Sequence, residues 1–303
     1  MSSSTLPLNP PAPRLAPAAV LELLKPITWF APMWAFMCGL VSSGQSASGH
    51  WLQIGLGVLL CGPLVCGTSQ AVNDWFDRHV DAINEPNRPI PSGRIPGHWG
   101  LRIAIAWTVL SLAVAASLGK WVLVPALVGM ALAWMYSAPP ARLKRNGWLG
   151  NLAVGACYEG LPWVTGAALM AGGVPDARVF VIAVLYSLGA HGIMTLNDFK
   201  SIEGDREMGI DSLPAVLGAD RAAELACVIM AGAQMVVISL LWLWQVPVFA
   251  ILVFGLLMAQ FGLMGRLLAQ PREKAPWYNA TGTTLYVLGM LATGFALQGL
   301  HAP

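Results

Sequence analysis

From Leu225 to Gly265 the chain carries no charged side chain, and only the Gln245-Val246-Pro247 turn interrupts the run. A helix needs roughly 18 or more apolar residues to cross a bilayer, and in lipid only helices and closed barrels satisfy the backbone. Similar stretches recur at about 27–44, 52–72, 103–119, 121–140, 147–170, 179–196, 225–244, 247–265 and 279–300. Charged residues make up 11% of the chain and hydrophobic ones 56%, against roughly 25% charged in soluble domains. The expectation is an all-α polytopic membrane protein with nine transmembrane helices around a central cavity. Reading 225–265 as one span would give eight.

Basic residues orient the bundle. With nine crossings, Lys120 and Arg178 are the only basic residues on one side, and the other 15 of the 17 fall opposite. The positive-inside rule puts that basic side, with the N-terminus, in the cytoplasm. An eight-span chain would move Arg266, Arg272 and Lys274 outward, so the clean split favours nine. Residues 1–20, rich in Ser and Pro, read as a disordered tail. Residues 21–303 read as a single transmembrane domain, with no cleavable signal ahead of it. Cys38, Cys61, Cys66, Cys157 and Cys227 all lie in apolar stretches and read as small buried hydrophobes.

Against this background the chain repeats one polar phrase. Residues 73–81 read NDWFDRHVD and residues 197–205 read NDFKSIEGD. Each opens Asn-Asp (Asn73-Asp74 and Asn197-Asp198) and carries an Asp seven residues on, at Asp81 and Asp205. Seven residues is close to two helical turns, so each pair shares a helix face. Both phrases close even-numbered spans and emerge on the basic side. Asp74, Asp77 and Asp81 offer three carboxylates; Asp198 and Asp205 offer two, with Glu203 beside them. At the end of a span these charges would repel one another and oppose the helix dipole. Divalent cations remove both problems, and Mg²⁺ commonly takes one or two carboxylates together with substrate phosphates. Two such clusters suggest a metal-bridged diphosphate whose organic part is a lipid. Cleavage of an allylic diphosphate leaves a resonance-stabilised cation and a highly charged leaving group. Arg88 and Arg94 after the first phrase, Lys144 and Arg145 in the basic loop 137–147, and Lys200 are candidates to stabilise that charge.

These residues resemble the intramembrane prenyltransferases of the UbiA superfamily over about 25–300. NDWFDRHVDAINEPNRPIPSGRIPG, YSAPPARLKRNGWLG, GIMTLNDFKSIEGDREMG and SLPAVLG look like chlorophyll synthases. CYEGLPW, AHGIMTLNDFK and WYNATG are similar to the bacteriochlorophyll synthase branch. Many superfamily members carry a second motif of the form D-x-x-x-D. Here Ser201 stands at its first Asp, and Asp198 lies about one turn earlier. The resemblance implies Mg²⁺ as cofactor and Asp74, Asp77, Asp81, Asp198, Glu203 and Asp205 as its ligands. Asn73, Arg88, Arg94, Lys144, Arg145, Asn197 and Lys200 would hold the diphosphate. It implies geranylgeranyl or phytyl diphosphate as donor and bacteriochlorophyllide or chlorophyllide as acceptor, in a bacterial inner membrane with the active site facing the cytoplasm. Pigment–protein assembly partners are an expectation from the family's role, and no nucleic-acid partner is expected.

Three residues are candidates for the pigment. His191 lies seven positions before Asp198 and could ligate the central metal of the macrocycle, or be a satisfied interior histidine. Glu159 is an ionisable group within a span, functional by default, or else neutral and hydrogen-bonded in the bundle. Tyr158 offers a polar tip to a cavity. Two rivals follow from the same residues. One is a prenyltransferase of the same fold acting on a quinone or haem precursor. The other is a cation or lipid-phosphate transporter, which the gathering of acidic residues on one side argues against.

Overall fold

The computed structural model describes residues 15–300. Among them there is no β-strand, and one isolated bridge joins Asn146 to Asp211. Helix α1 (Pro17–Leu23) meets α2 (Phe30–Ser42) across a 55° bend. There follow α3 (Trp51–Asn84), α4 (Trp99–Ser117), α5 (Lys120–Ser137), α6 (147–171) and α7 (Ala177–Asn197). A 3₁₀ turn (Asp198–Ser201) and the short α8 (Ile202–Glu207) and α9 (Leu213–Leu217) precede α10 (Ala219–Leu243), α11 (Pro247–Ala269) and α12 (Pro271–Gly299).

All nine expected spans fall on these helices. Seven are long and apolar enough to cross a membrane, with α8 counted as the continuation of α7, and the bent pair α1–α2 supplies an eighth. The remaining one, α6, carries Asn151, Tyr158 and Glu159, which lower its apolar character. The break inside 225–265 is real: Gln245 takes φ 62°, and Pro247 starts α11. One expectation is corrected: residues 17–20, assigned to the tail, belong to α1, while the tail up to residue 14 lies outside the described residues. Beyond the apolar stretch 52–72, α3 continues helical to Asn84, and beyond 179–196 the chain continues past Asn197 through the 3₁₀ turn. The Asp residues therefore sit on helical extensions that leave the apolar zone.

Packing follows the rules of a lipid-embedded bundle. Helix–helix contact there depends on small residues and internal hydrogen bonds. A Cβ at Gly39 would lie 1.9 Å from the Trp163 carbonyl oxygen, and one at Gly166 2.1 Å from that of Phe36, so α2 and α6 touch backbone to backbone. Trp163 stacks on Tyr186 at 5.5 Å. Tyr186 in turn pairs with Thr293 at 2.8 Å, and Tyr286 donates to the Tyr186 carbonyl at 2.9 Å, tying α6, α7 and α12 together. Gln234 and Gln260 exchange amide hydrogen bonds of 2.8 and 3.1 Å between α10 and α11, with no exposed surface on either. Large apolar side chains such as Ile27, Val248 and Leu243 are exposed, as a lipid-facing surface requires.

Two helices widen into π turns, at Leu60–Cys66 in α3 and Ala156–Gly160 in α6. Pro63 lies in the first. Its ring excludes the regular i to i−4 hydrogen bond, and the wider turn accommodates it.

Candidate active site

A polar cavity of about 750 Å³ opens at the motif-bearing end of the bundle. It continues into an inner chamber of about 500 Å³, the two sharing walls at Asn73, Arg88, Tyr136, Asp198 and Lys200. The fold thus brings both Asp phrases to one cavity. Asp77 and Asp81 reach it from α3, and Asp198 and Asp205 from the end of α7 and from α8.

The first cluster is organised by cations. Asp77 accepts from Lys144 and, at 2.9 Å, from Asn73, which also donates to Ser137 at 3.1 Å. Arg88 donates to Asp81 at 2.9 Å and to Asp74 at 3.3 Å, and grips Glu85 through two nitrogens at 2.5 and 2.7 Å. Burial works to lower the Arg88 pKa, but the Glu85 bond and the Asp74 and Asp81 charges outweigh it and leave the guanidinium above its ordinary value. The same bond holds the Glu85 carboxyl below its ordinary range. Asp74 is 1% exposed and lies beneath Lys25 and Arg88; Lys25 donates to it at 2.8 Å, while its second oxygen is buried without a partner.

The second cluster differs because the chain tightens into a 3₁₀ turn at Asp198. Asp198 accepts one long bond from Asn151 at 3.4 Å and faces both chambers. Asp205 is oriented by the hydroxyls of Ser201 at 3.1 Å and Ser212 at 2.6 Å. Ser201, at the first position of the D-x-x-x-D form of the motif, therefore positions Asp205. The basic loop is clipped to the segment after this motif: Gly147 donates to the Asp211 carbonyl and Asp211 to that of Arg145, each at 2.9 Å. The clip keeps Lys144 and Arg145 at the cavity wall. Asn146 caps α6 by accepting from Trp148 and Leu149.

Other predicted residues separate. Lys144, Arg145, Asn197, Lys200 and Tyr158 line the cavity. Among the described residues, neither Arg145 nor Lys200 reaches a carboxylate, so both cations are available to an anion. Glu203 is placed away from the cavity, exposed and paired with Arg272 at 2.9 Å. Arg94 is bonded to Glu22 and the Asn87 carbonyl outside the cavity. His191 is 2% exposed, 5.2 Å from the Trp148 ring, and off the cavity wall. Glu159 is also buried behind the wall while Tyr158, one residue earlier in the π turn, reaches it. Lys25 was read from the sequence only as a marker of orientation. Its place over Asp74 depends on the α1–α2 bend and its own φ of 48°, which local spacing does not encode.

The carboxylates suit a hard cation. Among the described residues no three His, Cys, Asp or Glu side chains converge on a metal-sized point. Mg²⁺ takes one or two carboxylates and draws its remaining oxygens from phosphate and water, a demand that carboxylates lining one cavity can meet. Asp77, Asp81, Asp198 and Asp205 are the cavity-lining candidates.

The chain matches the model of the UbiA prenyltransferase family over residues 30–294. It is 56% identical over 285 residues to the bacteriochlorophyll synthase 33 kDa chain of Cereibacter sphaeroides, covering 94% of each. It is 38% identical to the chloroplastic chlorophyll synthase of Arabidopsis thaliana, covering 92% of this chain and 74% of the relative. Its fold superposes on that of a UbiA homolog from Archaeoglobus fulgidus bound to GPP and Mg²⁺, with a TM-score of 0.75 at 21% identity over 93% of this chain and 99% of that one. The chain is a multi-pass membrane enzyme and belongs to the UbiA prenyltransferase family.

Proposed function

We propose that this enzyme esterifies the propionate of bacteriochlorophyllide with a geranylgeranyl or phytyl group taken from the corresponding diphosphate. The observation that carries the reading is the convergence of both Asp phrases and of Lys144, Arg145 and Lys200 on one cavity whose inner walls turn apolar. The likeness to the bacteriochlorophyll synthase chains supports the choice of acceptor.

Asp77 and Asp81 on one side and Asp198 and Asp205 on the other would hold Mg²⁺ with the diphosphate, and the ion would neutralise negative charge on the leaving group. Lys144, Arg145, Lys200 and Arg88 meet the same charge from the wall. The allylic C–O bond breaks with its electron pair leaving on the diphosphate. The apolar side of the inner chamber, Leu132, Ala133, Ala153, Val154 and Met194, would shield the carbocation from water. A propionate oxygen then bonds to the allylic carbon. A carboxyl group with a reference pKa near ~4 is already ionised at neutral pH, so no base need remove a proton. Val80, Met208 and Ile210 add apolar surface at the mouth, where the pigment edge that bears the propionate would approach.

We place the site on the cytoplasmic side of a bacterial inner membrane, on the strength of the lopsided Lys and Arg distribution, and treat residues 21–303 as one functional domain. The test uses membranes of a non-photosynthetic host containing the full chain. Geranylgeranyl diphosphate, Mg²⁺ and either bacteriochlorophyllide or chlorophyllide are added, and the extracted pigments are chromatographed. The expected result is an esterified bacteriochlorophyllide that disappears with EDTA. No ester in membranes that hold folded protein would refute the reading, and a preference for chlorophyllide would change the acceptor.

A further inference from the structure

The cations on the cavity walls sort by what they already hold. Lys25 and Arg88 are engaged by Asp74, and Lys144 by Asp77. Lys200 is uncommitted, but it lines both chambers together with Asp198 and so belongs with the diphosphate. Arg142 and Arg145 line the mouth alone. Arg145 is exposed, whereas Arg142 is half-buried and tethered. The Arg142 Nε donates a long bond to the Ser137 carbonyl at 3.4 Å. The Ser137 hydroxyl accepts from Asn73 at 3.1 Å, and Asn73 donates to Asp77 at 2.9 Å. Arg142 is thus tied through Ser137 and Asn73 to the first Asp phrase. Among the described residues its two terminal nitrogens have no partner and it pairs with no carboxylate. Its backbone is also unusual. Three non-glycine residues among those described take a positive φ, and two of them, Lys25 at 48° and Arg142 at 40°, are cations on these walls. Such conformations are uncommon outside glycine and gather at functional sites.

Resting on the proposed esterification, we propose that Arg142 binds the acceptor: its terminal nitrogens take one oxygen of the propionate and leave the other to attack the allylic carbon. The charge balance of the cavity calls for such a group. The acceptor is an anion, and it must enter a mouth walled by Asp77, Asp81, Asp198 and Asp205 that also receives a diphosphate. Lys144, Arg88 and Lys200 answer the carboxylates and the phosphates. A second anion arriving through the mouth needs a counter-charge that is not already spent, and Arg142 supplies it. A guanidinium suits the task because its planar fork of donors matches a carboxylate and stays charged at any working pH. The bond to Ser137 fixes the base of that fork, so less side-chain freedom is lost when the acceptor binds. Val80, Met208 and Ile210 line the same mouth and suit the apolar macrocycle behind the propionate. The diphosphate has no comparable call on Arg142, which is absent from the inner chamber that Lys25, Arg88 and Lys200 share.

The test compares wild type, Arg142→Gln and Arg142→Lys as purified full-length protein. Pigment fluorescence gives the Kd of bacteriochlorophyllide and of its propionate methyl ester, which has the same macrocycle without the charge. Calorimetry gives the Kd of geranylgeranyl diphosphate with Mg²⁺. Wild type should bind the free acid about tenfold more tightly than the methyl ester, the scale of one charged hydrogen bond. Arg142→Gln should erase that preference and leave the Kd of geranylgeranyl diphosphate within about twofold. In membranes its KM for the acceptor should rise about tenfold while its KM for the donor stays. Arg142→Lys keeps the charge and loses the fork, so it should retain part of the preference, and it carries the test if the glutamine variant is lost from the membrane. A wild type that binds acid and ester alike would overturn the proposal. So would an Arg142→Gln or Arg142→Lys protein with the full preference, or one whose weakened ligand is the diphosphate. Wild-type membranes without any ester would overturn the reaction instead, and the acid-to-ester binding ratios would still decide Arg142.

Discussion

Asp77 is the carboxylate whose removal separates chemistry from stability most cleanly. It lines the cavity, its side chain is 20% exposed, and its partners Lys144 and Asn73 bind different oxygens. In Asp77→Asn the shape stays, and the amide oxygen can still accept from one of the two. The pair with Lys144 is partly solvated, so its contribution to stability is about 1 kcal/mol at most. The loss of transition-state stabilisation is larger. One unit charge acting on another about 4 Å away, at an effective dielectric near 20, contributes about 4 kcal/mol, which is roughly a thousandfold in rate. Asp77→Asn should therefore lower kcat/KM for ester formation about a thousandfold while leaving thermal unfolding in detergent within a few degrees of wild type. Part of the loss should be recovered by raising Mg²⁺, because a missing ligand weakens metal affinity as well as catalysis. Activity within tenfold of wild type at saturating Mg²⁺, in protein shown to be folded, would refute the assignment of Asp77 to the metal–diphosphate site.

Two other predictions follow from where side chains lie. Glu203→Gln and Arg94→Ala should each keep kcat/KM within about threefold, because both groups are engaged in exposed pairs outside the cavity, which are worth little; a hundredfold loss in steady-state assays would return them to the site. Gln234→Leu should lower stability by about 1 kcal/mol by stranding the Gln260 amide, and adding Gln260→Leu should recover much of that loss, measured as a double-mutant cycle in thermal melts; additive losses would show that the amide pair is not coupled.

Much of the site was legible because its chemistry needs charge where lipid forbids it. Asp74, Asp77, Asp81, Asp198 and Asp205 stand out in an apolar chain, and helical spacing places each cluster near a span end. What spacing could not show was which oxygen faces the cavity. Asp74 and Asp77 are one turn apart, yet Asp74 is 1% exposed beneath Lys25 and Arg88 while Asp77 is open. That difference comes from α1 folding back at the bend to bring Lys25 across 49 residues. Glu203 stands beside Asp205 in sequence but pairs with Arg272 outside the cavity. The 3₁₀ turn at Asp198–Ser201 precedes them, and it is Asp205 that faces the Ser201 and Ser212 hydroxyls. The spans were legible, including the weak break at Gln245, because the Gln245-Val246-Pro247 turn ends in a Pro, a residue favoured at a helix's first position.

The π turns are a subtler signal of where the reaction space lies. A widened turn disturbs the regular backbone hydrogen bonding, and a bilayer tolerates that only where protein or a cavity covers it. The segment Leu60–Cys66 meets this condition: Leu60, Cys61, Leu64 and Cys66 are all buried. Just past it, Gln70 donates to the Tyr158 hydroxyl at 3.2 Å and Cys66 contacts the same hydroxyl at 3.5 Å, so the two irregular turns are joined side to side. Their sequence traces are Gly62-Pro63 in one span and Gly155 and Gly160 bracketing Tyr158 and Glu159 in another. Either trace alone reads as a weak helix. Together they flank the inner chamber: Cys157 and Tyr158 line it from one helix, and Cys66 and Gln70 meet the Tyr158 hydroxyl from the other. Regular helices at both places would carry the apolar stripe unbroken toward the motifs. Irregular ones allow α3 and α6 to present Gln70, Asn73, Asn151 and Tyr158 to the cavity from the same helices that carry the apolar Val65 and Leu161.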